Sequence, residues 1–593
     1  MNIEERLLKL KALMKEREID FYIIPSNDYH QSEYVEDYFK CREWLSGFTG
    51  SAGVIVVSQE EVGLWTDGRY FTQAENQLKG SGIKLFKMGE EGVVTYSQYI
   101  IKNIKVGDTL GFDSKVLATS IVLGFEKDLI EKKIKLNGDY DLVGELWENR
   151  PALSQSEVFI LEEKYSGEST ESKLGRIRNI IEKENCDINI LTSLDDIAWI
   201  FNLRGSDVKN NPVNLAYAVI TIDRAVLYIN ERKLNSKVER YLYENNIEVR
   251  DYFEIYEDME RISNSNIIMM DLNKVNYDIY RKLNPGIKIV NKENPSTLMK
   301  ACKNATELQN LRNSHIKDGV AVTKFMYWLK NNIGKENITE LSATKKLESL
   351  RKEQELYIGP SFDTIAAYEV NAAMMHYKAS EISDKRLEAK NMFLVDSGGQ
   401  YYDGTTDVTR TFILGECSEE MKEHFTLVLK GMINLSKVKF LYGVTGTNLD
   451  ILARQALWNI GIDYKCGTGH GIGFLLNVHE GPHGIRVQYN SQKLEEGMIV
   501  TNEPGVYIAG SHGIRLENEL LVLKNEKTDF GQFMKFETIT YVPLDLDGIK
   551  KELLSLEEIE FLNDYHKMLY EKIAPYLNDD EKEWLKRYTR ELQ

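Results

Sequence analysis

MFLVDSGGQYYDGTTDVTRTFIL, residues 392–414, reads as a strand, a glycine-bearing turn and a second strand. That reading sets Asp396 at the end of the first strand and Asp407 on the second, so a hairpin can bring two carboxylates face to face. Carboxylates left unpaired in a half-buried sheet are costly, and need a cation, a proton or hydrogen-bond donors. The plainer alternative has Asp403 capping its turn and the other acids exposed to water. The choice depends on what the rest of the chain brings to the same place.

VTNEPGVYIAGSHGIRLENELLVL, residues 500–523, supplies a second acidic pair. Glu503 sits where an apolar strand meets Pro504-Gly505, and Glu517 lies on a later strand behind Gly513-Ile514-Arg515. Between the two acidic segments, GTGHGIGFLLNVHEGPHG, residues 467–484, carries His470, His479 and His483. Spacing alone does not say whether these three share one metal. Two Asp, two Glu and one His from separate strands make a hard, oxygen-rich site with one imidazole, suited to two divalent ions such as Mn, Co, Fe or Zn. The HExxH signature of a mononuclear zinc peptidase is absent.

With 593 residues the chain is long enough for about three domains. Hydrophobic residues at 42% and charged residues at 28% are ordinary for a globular protein. A net charge of -18 argues against nucleic acid or an anionic membrane as the main partner. The opening MNIEERLLKLKALMKEREID reads as an amphipathic helix and not a signal peptide, and no stretch approaches the ~18 apolar residues of a membrane span. The five cysteines are scattered without a CxxC pair, which points to a reducing cytoplasm and excludes a zinc ribbon.

Residues 1–150 alternate strand and helix patterns: FYIIPSND is a short buried strand, and GSAGVIVVSQEEVGLWTDGRYF two strands with a polar turn. The proline-marked NRPALSQSEVFIL is a fair boundary. Residues 151–304 repeat the texture, with a helix expected from about Ser193 and a hairpin in LAYAVITIDRAVLYIN. From about Ala305, long helical patterns give way to glycine-punctuated strands crowded with Asp, His and Glu. The tail is helical again: Ser555 and Glu558 form a possible capping box, and Leu556, Ile559, Leu562 and Tyr565 an apolar stripe. The whole reads as an α/β (α+β) multidomain chain with boundaries near 150 and 304.

In order and context, Asp396, Asp407, His470, Glu503 and Glu517 match the five ligands of the pita-bread metallopeptidases. That family includes methionine aminopeptidase, prolidase and aminopeptidase P, along with the metal-free creatinase. DSGGQYYDGTTDVTRT, GTGHGIG, NVHEGP, TNEPGVY and GIRLEN resemble the aminopeptidase P and prolidase branch. WLSGFTGSAG, LWTDGRYF and LDDIAWIFNLRGSDVKNNPV resemble the first two domains of the long, three-domain aminopeptidases P, so the likeness covers nearly the whole chain.

The resemblance implies two creatinase-like α/β domains followed by a pita-bread catalytic domain. It implies hydrolysis of the N-terminal Xaa-Pro bond by a hydroxide bridging two metal ions, most plausibly Mn2+. Asp396, Asp407, His470, Glu503 and Glu517 would hold the ions, with Glu503 moving the proton of the water. His376, in NAAMMHYKAS, and His479, in NVHEGP, would donate to the substrate and to the charge developing on its carbonyl oxygen. Arg69, in TDGRY, resembles a substrate-contacting arginine, and His376, His470, His479 and Glu503 line the same substrate path. Read without the family, His376 after two methionines is a core histidine, and Arg69 an ion pair with Asp67. Arg515 is expected to contact an acidic ligand, while His483 and His512 are expected to shape the rim. A homodimer is what the three-domain family suggests.

Two departures stand out. Where relatives usually have a further histidine before the metal-ligating one, this chain has Cys466, expected to line the cleft without binding metal. SFDTIAAYEVNAAMMH lacks the glycines often found ahead of the flanking histidine, so that loop is expected to differ. The competing readings are a prolidase restricted to dipeptides, a branch usually about one domain shorter, and a non-catalytic pita-bread binding module, which would typically have lost ligands.

Overall fold

The computed structural model describes residues 1–593. Two compact units account for the chain: Met1–Glu162 with Glu168–Ser296, and Glu163–Gly167 with Thr297–Gln593.

The first unit opens with α1 (Ile3–Glu16), whose N-terminus is closed by a reciprocal Asn2–Glu5 capping box. Leu7, Leu10 and Met14 recur on one face of it and are buried. FYIIP forms β1 (Phe21–Pro25), buried at every position, as expected of a strand covered on both faces. With β2 (Val54–Ser58), β3 (Val62–Thr66), β4 (Lys84–Lys87), β5 (Thr109–Phe112) and β6 (Lys135–Asn137) it makes a sheet of order β4-β3-β2-β1-β5-β6. β2 runs antiparallel to β1 and β3, and the remaining pairs are parallel.

The second half of this unit contains β7 (Ile188–Leu191), β8 (Ala216–Thr221), β9 (Ala225–Ile229), β10 (Ile247–Arg250), β11 (Ile267–Met270) and β12 (Lys288–Asn291). Their order is β10-β9-β8-β7-β11-β12, with the same parallel and antiparallel senses as the first sheet, pair for pair. The repeated texture of the sequence is therefore a repeated topology. The helix expected near Ser193 spans Leu194–Ile200, with Ser193 at its N-cap.

The second unit starts with α2 (Ala305–Asn332), capped by Asn304 and Glu307, followed by α3 (Glu340–Lys352). β13 (Ile365–Tyr368), β14 (Met392–Ser397) and β15 (Val408–Ile413) form an antiparallel sheet with β14 in the middle. After α4 (Glu419–Ser436) come β16 (Phe440–Leu441), α5 (Gly446–Trp458), β17 (Gly469–Gly471), β18 (Glu480–Ile485) and β19 (Ile499–Asn502). β20 (Gly505–Ile508) and β21 (His512–Arg515) form a hairpin, and β22 (Asn518–Thr528) and β23 (Gly531–Thr538) a longer one. A six-stranded sheet runs β16-β23-β22-β19-β17-β18.

Phe325 and Leu329 of α2, Phe393 and Val395 of β14, Phe412 of β15 and Phe425 of α4 belong to one large core. Strand alternation turns Asp396 to the opposite face of β14, in register with Thr409 of β15. The acids thus leave the core by the same two-residue period that builds it.

Three expectations need correction. Asp407 immediately precedes β15 and is not within it, and the turn between the acids holds two short strands, Gly399–Tyr401 and Gly404–Thr405. Asp403 is buried, with Lys317 Nζ at 2.6 Å from both its carboxylate oxygens, so a neighbouring helix satisfies it and not the turn. In the tail, α6 (Leu556–Ile573) has the Ser555–Glu558 capping box and buries Ile559, Leu562 and Tyr565. Leu556 remains 85% exposed. α7 (Asp579–Tyr588) follows. No helix is long and apolar enough to cross a membrane.

Candidate metal centre

β14, β15, β17, β19 and the segment joining β21 to β22 bring acids and one histidine together. Asp407, His470 and Glu517 each present a ligand atom within 4.8 Å of the others'. His470 Nε2 lies 3.6 Å from Asp407 Oδ2 and 3.4 Å from Glu503 Oε1. Asp396 is tied to the group through Arg515, whose Nη2 donates to Asp396 Oδ2. All five residues proposed from the sequence as ligands lie in this unit.

The backbone around them is fixed by short hydrogen bonds. Asp407 N donates to Glu519 Oε1 at 2.7 Å, Glu503 N to Thr468 O at 2.8 Å, and Glu517 N to Thr409 O at 3.1 Å. Thr409 Oγ1 donates to Glu517 Oε2 at 2.7 Å, and Thr501 Oγ1 accepts from His470 N at 3.0 Å. The ring of His470 contacts the carbonyl of Gly471 through Nδ1 at 3.0 Å. A carbonyl only accepts, so this contact assigns the proton to Nδ1 and the lone pair to Nε2, the nitrogen turned toward the carboxylates. Gly469 and Gly471 are needed for strand packing here: a Cβ on the first would meet Thr501 O at 1.9 Å, and on the second Glu480 O at 2.2 Å.

The electrostatics call for a cation. Burial, then the neighbouring Glu517 and Asp396, hold the Asp407 carboxyl well above its ordinary range. Burial, then Glu503 and Asp396, do the same to Glu517. Burial lifts Glu503 to about 7, against the pull of the Arg515 guanidinium. Asp396 Oδ1 and Asp407 Oδ1 are buried without a hydrogen-bond partner. Unpaired carboxylate oxygens beside an imidazole lone pair form a donor set that suits hard or borderline divalent ions.

His479 lies edge-on to His470, ring centroids 4.2 Å apart, beside the acids. His376 is half-buried in the loop after β13 and not in the core. Cys466 has a free thiol, whose pKa burial and then Glu503 push up to about 12. Arg515 contacts Asp396, Tyr507 OH at 2.5 Å and the Met375 carbonyl. Arg69 belongs to the other unit and grips Asp67 with two bonds of 2.8 Å.

The two rim histidines of the sequence reading are core residues. His483 Nε2 donates to Ile499 O at 2.7 Å, and burial lowers its pKa to about 4. His512 is buried, its Nε2 3.0 Å from His424 Nδ1 and its Nδ1 2.8 Å from Ser511 Oγ. Sequence reasoning missed the threonines that orient the acids and missed Glu519, which holds the Asp407 peptide and has His315 Nε2 at 3.0 Å. The signal was available: Thr409 and Glu519 each lie two residues beyond an expected ligand, just inside the strand that follows it.

Comparison with known proteins agrees with this geometry. Residues 6–137 and 149–307 each match the Creatinase/Prolidase N-terminal domain, residues 309–524 match Metallopeptidase family M24, and residues 532–592 match the C-terminal region of peptidase M24. The matched domains together are those of a metallopeptidase of this class. A probable Xaa-Pro aminopeptidase P of Pyrenophora teres is 40% identical over 98% of this chain and 92% of its own length. Xaa-Pro aminopeptidase 1 of Dictyostelium discoideum is 38% identical over 100% of this chain and 97% of its own. The solved X-prolyl aminopeptidase of Caenorhabditis elegans, described as a cytosolic enzyme with a di-nuclear active site, superposes with a TM-score of 0.96 at 34% identity over all of both chains. The chain belongs to the Xaa-Pro aminopeptidase family.

Proposed function

We propose that this chain removes the N-terminal residue from peptides with proline in second position, using two divalent ions held by Asp396, Asp407, His470, Glu503 and Glu517. The observation that carries the reading is the convergence of these side chains with two buried, unpaired carboxylate oxygens. Bound there, two such ions would supply a water-derived nucleophile near neutral pH and polarise the scissile carbonyl. Mn2+ is the ion proposed, with Co2+, Fe2+ and Zn2+ as alternatives of similar ligand preference.

The residues divide the remaining work. Glu503, whose Oε1 lies 3.4 Å from His470 Nε2, is the residue that takes the proton of the water and returns it to the leaving proline nitrogen. His479, beside His470, and His376 supply hydrogen bonds to the substrate carbonyl as it gains charge. Arg515 anchors Asp396 and stays charged, which lowers the cost of assembling four acids. Arg69 is proposed as a substrate-binding guanidinium, pre-oriented by its two-pronged contact with Asp67. Cys466 is proposed to line the cleft as a neutral thiol.

The domain division proposed is 1–150, 151–304 and 305–593, supported by the two repeated sheets and the change of architecture after them. A cytoplasmic location is supported by five cysteines that form no disulfide and by the cytosolic relative. A homodimer is the assembly proposed, with the exposed apolar side chains Ile451, Trp458 and Ile460, on and after α5, as its contact residues.

One assay separates the aminopeptidase from its rivals. The metal-loaded chain should cleave an Xaa-Pro-Yaa tripeptide, with activity lost to chelator and restored by Mn2+. Cleavage of an Xaa-Pro dipeptide alone would make it a prolidase, and chelator-insensitive silence on both substrates would make it a binding module. Sedimentation at micromolar concentration gives twice the chain mass if the dimer proposal holds.

A further inference from the structure

His376 itself lies outside helix and strand. The stretch between β13 and β14 contains a single short helical turn, Glu369–Ala373, and otherwise irregular backbone. No strand ladder sets the backbone that carries His376, and side chains from elsewhere grip that loop.

Those grips come from two sides. Before His376, the Met375 carbonyl is reached by Arg515 through Nη1 and Nη2, each at 3.4 Å. Further back, Ala372 O packs against Gly513 so closely that a Cβ there would sit 1.7 Å away. After His376, the Tyr377 hydroxyl donates to Glu340 Oε2 at 2.8 Å. Glu340 also accepts from Tyr368 N at 2.7 Å, Asn371 Nδ2 at 3.1 Å and Lys385 N at 3.1 Å. Every one of these donors comes from the loop or its first hinge.

An acid suits the first turn of a helix, but the full burial of Glu340 goes beyond that. It is the first residue of α3, fully buried, and burial raises its pKa against the pull of the bonds it accepts. The N-terminus of α3 is already closed by a capping box between Thr339 and Ser342. Burying a carboxylate there costs free energy unless several donors meet it, and the donors it meets are those of the His376 loop. The chain also lacks glycine throughout SFDTIAAYEVNAAMMH, so its path depends on such bonds.

We propose that Glu340 is a positioning residue for the peptidase reaction, fixing through Tyr377 and Asn371 the loop that presents His376 to the substrate. This rests on the reading of His376 as a substrate-facing donor. Glu340→Gln keeps the volume but turns an amide N–H2 toward a ring of donors, leaving one of them unmatched. In the full-length, Mn2+-loaded chain acting on an Xaa-Pro-Yaa tripeptide, the expected result is kcat lowered roughly 10-fold or more with KM changed less than about 2-fold. Tryptic cleavage after Lys378, Lys385 and Arg386 should accelerate by about the same factor, with metal content unchanged. Tyr377→Phe, which removes one hydroxyl, should give a smaller change in the same direction and stands in if the Gln variant does not fold. Glu340→Asp should recover part of both losses.

Native kcat in Glu340→Gln overturns the proposal whether or not the loop is cleaved faster, and so does an activity loss that tracks lost metal. His376→Ala separates the two readings. It should lower kcat without accelerating cleavage. If it leaves kcat unchanged, the role given to His376 fails, whatever trypsin reports about the anchor.

Discussion

Asp407 concentrates the problem this site solves. It is buried, its carboxyl is held far above the ordinary range by burial and then by Glu517 and Asp396, and one oxygen has no partner. Without metal, it weakens the fold in order to keep a binding site. Asp407→Asn should therefore raise the melting temperature of the metal-free chain by roughly 2 °C or more, and lower metal affinity at least about 100-fold. Calorimetry in chelator and a metal titration check the two halves; a lower metal-free melting temperature would mean that the acids are not in conflict. His483 makes the opposite case of a buried group kept neutral. Its folded pKa, about 4, lies below the ordinary histidine value because of burial. A depressed histidine contributes stability that is present above pH ~6.5 and is lost as pH falls toward its folded pKa. His483→Gln can keep a donor for Ile499 O while removing the titration. Relative to the parent, the variant should gain about 1.4 kcal/mol for each pH unit between ~6.5 and about 4. A pH-independent difference between the two denaturation curves would sink that assignment.

At the scale of elements, the short strands matter more than the helices. β17 contributes only Gly469, His470 and Gly471, yet it pairs with both β18 and β19 and aims the imidazole. Gly469→Ala would drive a methyl into Thr501 O of β19. It should cost roughly 1–3 kcal/mol and displace His470, so that bound metal falls while the helical circular dichroism is kept. Retention of full metal content would show that the strands can part without moving the ring. Element by element, the sequence reveals what periodicity controls. The buried FYIIP strand, the LAYAVITIDRAVLYIN hairpin and the Ser555 capping box all follow from local pattern. What local pattern does not control is which long-range partner meets a polar side chain. Asp403 looks like a turn cap but is claimed by Lys317, and His483 looks like rim but is covered by β19. The loop holding His376 is irregular backbone, and its anchor, Glu340, is distant in sequence, so no period could announce it. The four acids and one histidine of the centre could be picked out because each lies beside a glycine, a proline or a strand end that marks its place.

At the scale of the whole molecule, the chain is built from two compact units with separate hydrophobic cores. The first repeats one sheet topology twice, and the second carries every residue assigned to metal. That division predicts how the protein responds to its cofactor. A ligand stabilises what it binds by RT ln(1 + [L]/Kd), about 2.7 kcal/mol at a hundredfold excess over Kd. The benefit goes to the unit that holds the ligands, Thr297–Gln593 with Glu163–Gly167, and not to the creatinase-like half. Scanning calorimetry of the full chain should show two transitions in chelator, and saturating Mn2+ should raise one of them by several degrees while moving the other by less than about 1 °C. Asp407→Asn should abolish the metal-induced shift and leave the other transition where it is. A single transition that moves as a whole with metal would mean that the two units unfold together, and that the stability of the creatinase-like half is set by the metal centre.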